Sequence, residues 1–600
     1  MSIPADPFAL GLRVLFQCGV GLALLWSTDV RAADAAQQDY AADEHAFFAS
    51  AKAERAQREG LAKSLALSKV SPQSSDPSER FSNFEKLFGK CLRHHAYYEL
   101  LSSRNTQDAQ ARKALNEVDD LCEIASSEAR GVLLSSPSSE AWTQPYAFLR
   151  ARAERARDHK VSVDQQAAFD ALSDQVDQLS RAYREILQAV PFESVETGQK
   201  RLNAFVDNKT LMSNPDGKVR AISWRAYWDG VNSQSERLGQ TLIGIVRSEN
   251  AMAALRGYRD APEAHYAAMG LTRDEVTETL AQVESHVSAW QAYQTVKGDK
   301  PWDMSAPVGS FAHHLTVDQL RQVATRAVAP LGKHHAEELS RVLDAREQRM
   351  DLSSEIGSRA KDAFSITAPE VPSVLYVGYR RDDLESDVEL IHEAAHAVHG
   401  QLMNDAQTSP LTRNGPSWMI EAFAILDELL LREQLAKEAK TPQAREFYLR
   451  SLLDDIALQI FTSAEEAQLE RDLYDSQAAG TLQSAADLSR LTTAVLQRYE
   501  RWPQAHPELA ETWATKRLFY EDPMYLTNYL YAGLVAVKLF ELSHEHKAEF
   551  ASQYRSLEEQ GFGQYPNAAL EKVLGGKVDW SRLVDEDADF FNRQVRLLNQ

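Results

Sequence analysis

Residues 389–400 read ELIHEAAHAVHG, which puts His392, Glu393, His396 and His399 into a run free of Gly and Pro until Gly400. On a helix, His392 and His396 stand four residues apart, stacked on one face about 6 Å along the axis, so both imidazoles can converge on one ion. Glu393 is swung about 100° around the axis, poorly placed to ligate beside them and free to serve as a base. This H-E-x-x-H spacing suits a Zn²⁺ site in which two neutral imidazoles and a third ligand leave one position open. The competing reading is a helix whose buried face happens to hold three histidines.

A third ligand must come from a second element. The punctuated loop NDAQTSPLTRNGP, 404–416, leads into SWMIEAFAILDELLLREQL. Ser417 is positioned to cap a helix there, with Met419, Phe423, Leu426 and Leu430 as its buried stripe. Glu421 falls off that stripe in the second turn. A carboxylate at that place, on a helix returning antiparallel to the first, is the expected third ligand of a two-His, one-Glu site. Further on, YEDPMYLTNYLYAGLVAVKLFEL predicts a helix opened by Pro523, with Tyr525 and Tyr529 on one face at i, i+4 and Tyr531 turned toward the core. The run SVLYVGYR, 373–380, is the best strand candidate in a chain that otherwise reads as helix.

The rest of the chain must carry these elements. It has 600 residues, 44% of them hydrophobic and 25% charged, a globular composition long enough for more than one core. Ala, Leu, Glu, Gln and Arg dominate while Gly and Pro are sparse, which predicts a mostly α protein of two lobes. A formal charge of −22 with no Lys/Arg block argues against nucleic acid as a partner. Val14–Trp26 is an apolar run too short to span a bilayer, and Val30 and Ala32 form an A-x-A-like cleavage site, so residues 1–32 are expected to be a signal peptide. No membrane span is expected in the mature chain, which would be exported, to the periplasm in a Gram-negative host. Its two remaining cysteines, Cys91 and Cys122, suit either one disulfide or two reduced core thiols. The expected organisation is an N-terminal helical region, 33–190, and a catalytic region, 191–600, with PFESVETGQKRL, 191–202, as the hinge between them.

HEAAHAVH and GPSWMIEAF together resemble the zinc oligopeptidases of the oligoendopeptidase F and thimet oligopeptidase type. Their H-E-x-G-H-x-x-H run and their Pro-Ser-x-x-x-Glu context are similar, and Glu421 stands 25 residues after His396, as in that family. AKDAFSI with SVLYVGY, and RSENAMAALRGYRDAPEAHY at 247–266, resemble further blocks of it in the same order. The resemblance implies two helical lobes flanking a deep substrate channel, with a small sheet beside the zinc helix. It implies one Zn²⁺ per chain on His392, His396 and Glu421, and Glu393 as general base. Tyr529, and after it Tyr525, would donate to the oxyanion. Substrate contacts would fall to His399, Ala363, Phe364, Val377 and Gly378, with 374–379 as an edge strand pairing with the peptide backbone. Two features depart from the pattern: Ala395 replaces a glycine, and RLFYEDPMY lacks the histidine usual before the tyrosine helix.

The expectation is therefore a zinc endopeptidase of short peptides, monomeric or weakly self-associating. A zinc exopeptidase releasing residues from a C-terminus is the second enzyme reading. A peptide-binding homologue with impaired catalysis is the third, and it is disfavoured because His392, Glu393, His396 and Glu421 are all present.

Overall fold

Polar caps and amphipathic stripes of the N-terminal half become long paired helices in the computed structural model, which describes residues 40–598 apart from 71–73, 199, 355–356 and 546. The expected signal peptide, 1–32, lies outside the described residues. Helix α1 (Pro77–Arg104) starts where the Asp76 side chain accepts from the Ser78 amide and Pro77 occupies the first turn. Helix α2 (Ala109–Ser135) starts at Asp108, which accepts from the amides of Gln110 and Ala111. The two pack side by side around a core that includes Phe84, Phe88, Val118 and Ala125. A disulfide between Cys91 and Cys122, with the Cα atoms 5.4 Å apart, ties them together.

Helix α3 (Ala147–Asp158) and helix α4 (Gln166–Ala189) follow. Helix α4 buries Tyr183, Ile186 and Leu187 in the large core of the molecule rather than in the α1–α2 core. The stretch expected as a hinge is an antiparallel hairpin, β1 (Ser194–Thr197) with β2 (Lys200–Asn203). Gly198, at φ +63°, takes the left-handed turn that a glycine tolerates without strain. Helix α5 (Ser235–Leu255) then packs along α4.

The second sheet is small and decides which backbone edge is open. Strands β3 (Met350–Leu352), β4 (Phe364–Ile366) and β5 (Val374–Val377) lie in the order β3-β5-β4. Strand β5 runs parallel to β3, pairing Leu352 with Val377, and antiparallel to β4, pairing Phe364 with Tyr376. The strand read from SVLYVGYR is thus present as the central strand, not as an edge. Both its sides are used by three-residue neighbours too short to announce themselves in the sequence, and the outer strand at this end is β4.

Of the remaining helices, four frame the site: α6 (Leu384–Asp405), α7 (Ser417–Glu438), α8 (Pro442–Ala457) and α9 (Leu526–Glu545). Helix α7 is buried between α6, α8 and α9. The result is a mostly α, two-lobed fold. A channel of about 2350 Å³ runs through it, lined from the N-terminal side by α2, α3 and α4 and from the other by α6, α8 and α9. No helix among the described residues is long and apolar enough to cross a membrane.

Candidate metal centre

Helix α6 is fixed at both ends before it presents any ligand. Its N-cap, Asp383, accepts from the Glu385 amide and pairs with Lys209 at 3.1 Å. One turn in, buried Asp387 accepts from the Tyr379 hydroxyl at 2.7 Å and from His313 Nε2 at 2.7 Å. Near the other end, Gly400 passes so close to Thr367 that a Cβ would stand 2.3 Å from its Oγ1, so the helix can lie against the segment after β4 only with glycine there. Helix α7 begins at Ser417, with Pro416 in the cap position and no side-chain cap bond. Ser417 is therefore the first helical residue rather than the cap.

The two helices bring His392, His396 and Glu421 together, with one ligand atom from each lying within 4.8 Å of the others. The Nε2 atoms of His392 and His396 are 3.1 Å apart. Glu421 Oε2 lies 3.3 Å from His392 Nε2, and Glu421 Oε1 lies 4.0 Å from His396 Nε2. Two nitrogens bound tetrahedrally to one zinc at 2.0–2.1 Å stand roughly 3.3 Å apart, so the residues fit this ion in donor type and spacing. His392 and Glu393 are each 1% exposed and Glu421 is fully buried.

The electrostatics draw a cation to the same point. Burial works against charge on His392, but hydrogen bonds to Glu421 and Glu428 outweigh it and hold the ring well above its ordinary range. Carboxylates that favour a proton there favour a metal cation for the same reason. His396 is pushed down to about 4 by burial and by neighbouring His392, which leaves its imidazole neutral and able to ligate near pH 7. Glu393 is raised well above the usual carboxylate range by burial, with Glu421, Glu389 and Glu428 adding to the effect and His392 opposing it. Its Oε1 has no hydrogen-bond partner among the described residues.

Behind the triad lies a layer that the motif alone does not reveal. Glu428 Oε1 accepts from His392 Nδ1 at 2.6 Å, fixing the tautomer that points Nε2 at the triad. Arg432 donates to Glu428 Oε2 at 2.9 Å and pairs with Asp455 at 3.0 Å. Glu428 stands seven residues after Glu421, two turns along the same face, and that spacing was its sequence signal. Asp387 and His313 had none, because 74 positions separate them.

The tyrosines do not share a helix. Helix α9 begins at Leu526, and Tyr525 sits in the preceding turn, where Met524 has φ +66°. Pro523 therefore opens a turn, not the helix. The rings of Tyr525 and Tyr529 nevertheless meet edge to face at 5.1 Å, and both residues line the channel. The Tyr525 hydroxyl donates to Glu421 Oε1 at 3.3 Å. Tyr531 is buried and its hydroxyl reaches Thr279 at 3.0 Å.

Ala363, Phe364 and Gly378 line the channel. Val377 and His399 are not brought to it: Val377 is fully buried in the central strand, and His399 packs edge to face on Phe423 at 4.7 Å. Burial, with His396 and His335 nearby, drives His399 down to about 3, so it is a neutral core ring.

The family model for peptidase family M3 matches residues 381–584. A plasmid oligoendopeptidase F of Lactococcus lactis subsp. cremoris is 23% identical over 64% of this chain and 63% of its own length. The group B oligopeptidase PepB of Streptococcus agalactiae is 22% identical over 65% of each. The chain thus spans a little under two thirds of the length of these two curated relatives. The crystal structure of oligoendopeptidase-F from Enterococcus faecium superposes with a TM-score of 0.63 at 16% identity, covering 91% of this chain and 98% of that one, which shows the same fold.

Proposed function

We propose that the chain, whose residues 381–584 match the family model for peptidase family M3 and which is similar to oligoendopeptidase F proteins, is a member of that family and a zinc-dependent oligopeptidase hydrolysing short peptides inside the channel. The observation that carries this reading is the pair of imidazole Nε2 atoms 3.1 Å apart beside Glu421, one of them on His392, which lines a cavity of about 2350 Å³. His392, His396 and Glu421 would hold one Zn²⁺ per chain, which when bound supplies Lewis acidity, polarising the scissile carbonyl and lowering the pKa of water toward roughly 7.

The remaining work falls to the protein's own side chains. Glu393, buried and with Oε1 unbonded among the described residues, accepts the proton of the attacking water at a carboxylate oxygen. Tyr529, half-buried on the channel wall, donates its phenol to the oxygen that gains charge in the tetrahedral intermediate. Tyr525 acts beside it by holding Glu421 in place. Glu428 keeps His392 Nε2 turned toward the triad. We assign backbone and side-chain contacts with the peptide to Ala363, Phe364 and Gly378, with β4 as the pairing edge, and packing roles to Val377 and His399.

The test is hydrolysis of quenched peptides of graded length by the purified chain. Loss of activity in chelator, its return with stoichiometric Zn²⁺, and a fall in rate as the peptide outgrows the channel are expected. Chelator-insensitive hydrolysis would overturn the metal assignment. Export with removal of residues 1–32 is also proposed, supported by the Cys91–Cys122 disulfide, a bond that persists in oxidising compartments. N-terminal sequencing of the mature protein decides it, and an intact Met1 would refute it.

A further inference from the structure

The channel carries a second charged feature apart from the triad. Arg152 and Arg155 on α3, and Arg256 just beyond the C-terminal end of α5, all line it. In a chain with a formal charge of −22, arginines lining an internal wall should find carboxylates. Arg155 and Arg256 do not: among the described residues neither forms an ion pair, and Arg155 donates to the Ala267 carbonyl instead. The Arg256 guanidinium lies over the rings of Phe169 and Tyr258, at 6.0 and 5.8 Å, and its buried Nε has no hydrogen-bond partner there. Tyr258 is itself held by stacking on His159 at 3.8 Å, while His159 Nδ1 donates to the Arg256 carbonyl at 2.9 Å.

Several carboxylates line the channel; the one whose charge Arg256 acts on is Glu249, which burial pushes up to about 7 with Arg256 opposing and Asp522 adding, so it is only a partial counter-charge near neutrality. Arg152 is pulled down to about 10 by burial and then by its neighbours Arg130 and Arg155, which places it beside Arg155 in one cationic cluster. Arg152 also donates to the Asn414 carbonyl at 2.7 Å, which ties the patch to the loop feeding α7. From Asn414, three extended residues and one helical turn lead to Glu421, a span of at most roughly 16 Å, or about five residues of extended peptide.

We propose that this arginine patch is a subsite for a carboxylate of the peptide substrate, either its free C-terminus or an acidic side chain a few residues from the scissile bond. The proposal rests on the oligopeptidase reading above. A guanidinium flanked by aromatic rings, with donors not committed to a protein carboxylate, matches a carboxylate in charge and in fork geometry. The same chemistry serves a chain terminus and a Glu or Asp side chain, and the two are separable by experiment.

Three fluorescent hexapeptides of one neutral sequence suffice: one with a free C-terminus, one amidated, and one amidated with a single Glu. Binding is read by anisotropy in the Glu393→Gln background, where turnover does not deplete the peptide, and hydrolysis is read separately with Glu393 intact. One carboxylate-bearing peptide should bind about tenfold more tightly than the neutral amide, and which one identifies the source. Arg256→Gln should erase that preference and leave binding of the neutral amide unchanged, while Arg256→Lys should keep part of it. The Arg256 side chain makes no hydrogen bond among the described residues, so the variant should fold, and loss of the wild-type preference with rising salt tests the subsite without any substitution. Equal binding of all three peptides, or a preference that survives Arg256→Gln, would overturn the proposal. A preference without hydrolysis would sink the oligopeptidase reading and leave the subsite standing.

Discussion

The triad and the tyrosine segment meet within one hydrogen bond, the 3.3 Å contact between the Tyr525 hydroxyl and Glu421, yet they are built by opposite means. His392, His396 and Glu421 sit inside helices of 22 residues each, α6 and α7, whose side-chain directions follow from spacing alone. Tyr525 sits in a turn whose shape depends on Met524 at φ +66° and on the Met524 amide donating to buried Glu470 at 2.6 Å. Ligands on regular helices are positioned by local geometry, whereas the residue touching them from outside is positioned by a distant carboxylate. The first kind of placement should weaken by degrees when the groups around it change and fail outright only when a ligand is lost. The second should be adjustable, with graded effects.

The largest effect tests the helical half of this contrast. His392→Ala, His396→Ala and Glu421→Ala should each strip the metal on dialysis and reduce hydrolysis to background, measured by zinc content together with rate. Retention of stoichiometric zinc by Glu421→Ala would mean that another carboxylate ligates; Glu389, which lines the channel one turn before Glu393, would be the first to examine.

The next effect separates the two tyrosines. Tyr529→Phe should lower kcat by about 10²–10³-fold with little change in KM, because its donor acts on charge present only in the transition state. Tyr525→Phe should act mainly through Glu421, appearing as weaker zinc retention with a smaller loss of kcat, and Tyr531→Phe should change neither. A Tyr525→Phe variant with full zinc and the larger kcat loss would reverse the two assignments.

A smaller effect is expected behind the triad. Glu428→Gln should lower zinc affinity by about 10–100-fold while the three ligands stay in place, since it loosens only the His392 tautomer and ring. Competition with a metallochromic chelator measures it, and an unchanged affinity would show that the Arg432–Asp455 side of the network fixes His392 by itself.

Legibility in the sequence follows the same division. The spacing of His392, His396 and Glu421 marked three residues that the fold does bring together, because i, i+4 and helix phase survive tertiary packing. The strand 374–377 was recognisable from its β-branched and aromatic run, but its central place was not, since Met350–Leu352 and Phe364–Ile366 are too short to show a pattern. His399 looked functional by position in a motif, and packing on Phe423 makes it core instead. The channel arginines could not be grouped, because α3 and the end of α5 lie about a hundred positions apart along the chain.

The central claim is that Glu393 is the base of a metal-dependent hydrolysis while the ligands alone hold the ion. Zinc stoichiometry and single-turnover hydrolysis of one quenched peptide, measured side by side for wild type and Glu393→Gln, test it most directly. The account predicts one zinc per chain in both proteins and loss of nearly all hydrolysis in the variant, because the amide keeps the carboxylate's shape and cannot take the proton. A zinc-replete Glu393→Gln protein cleaving the peptide at the wild-type rate would contradict it.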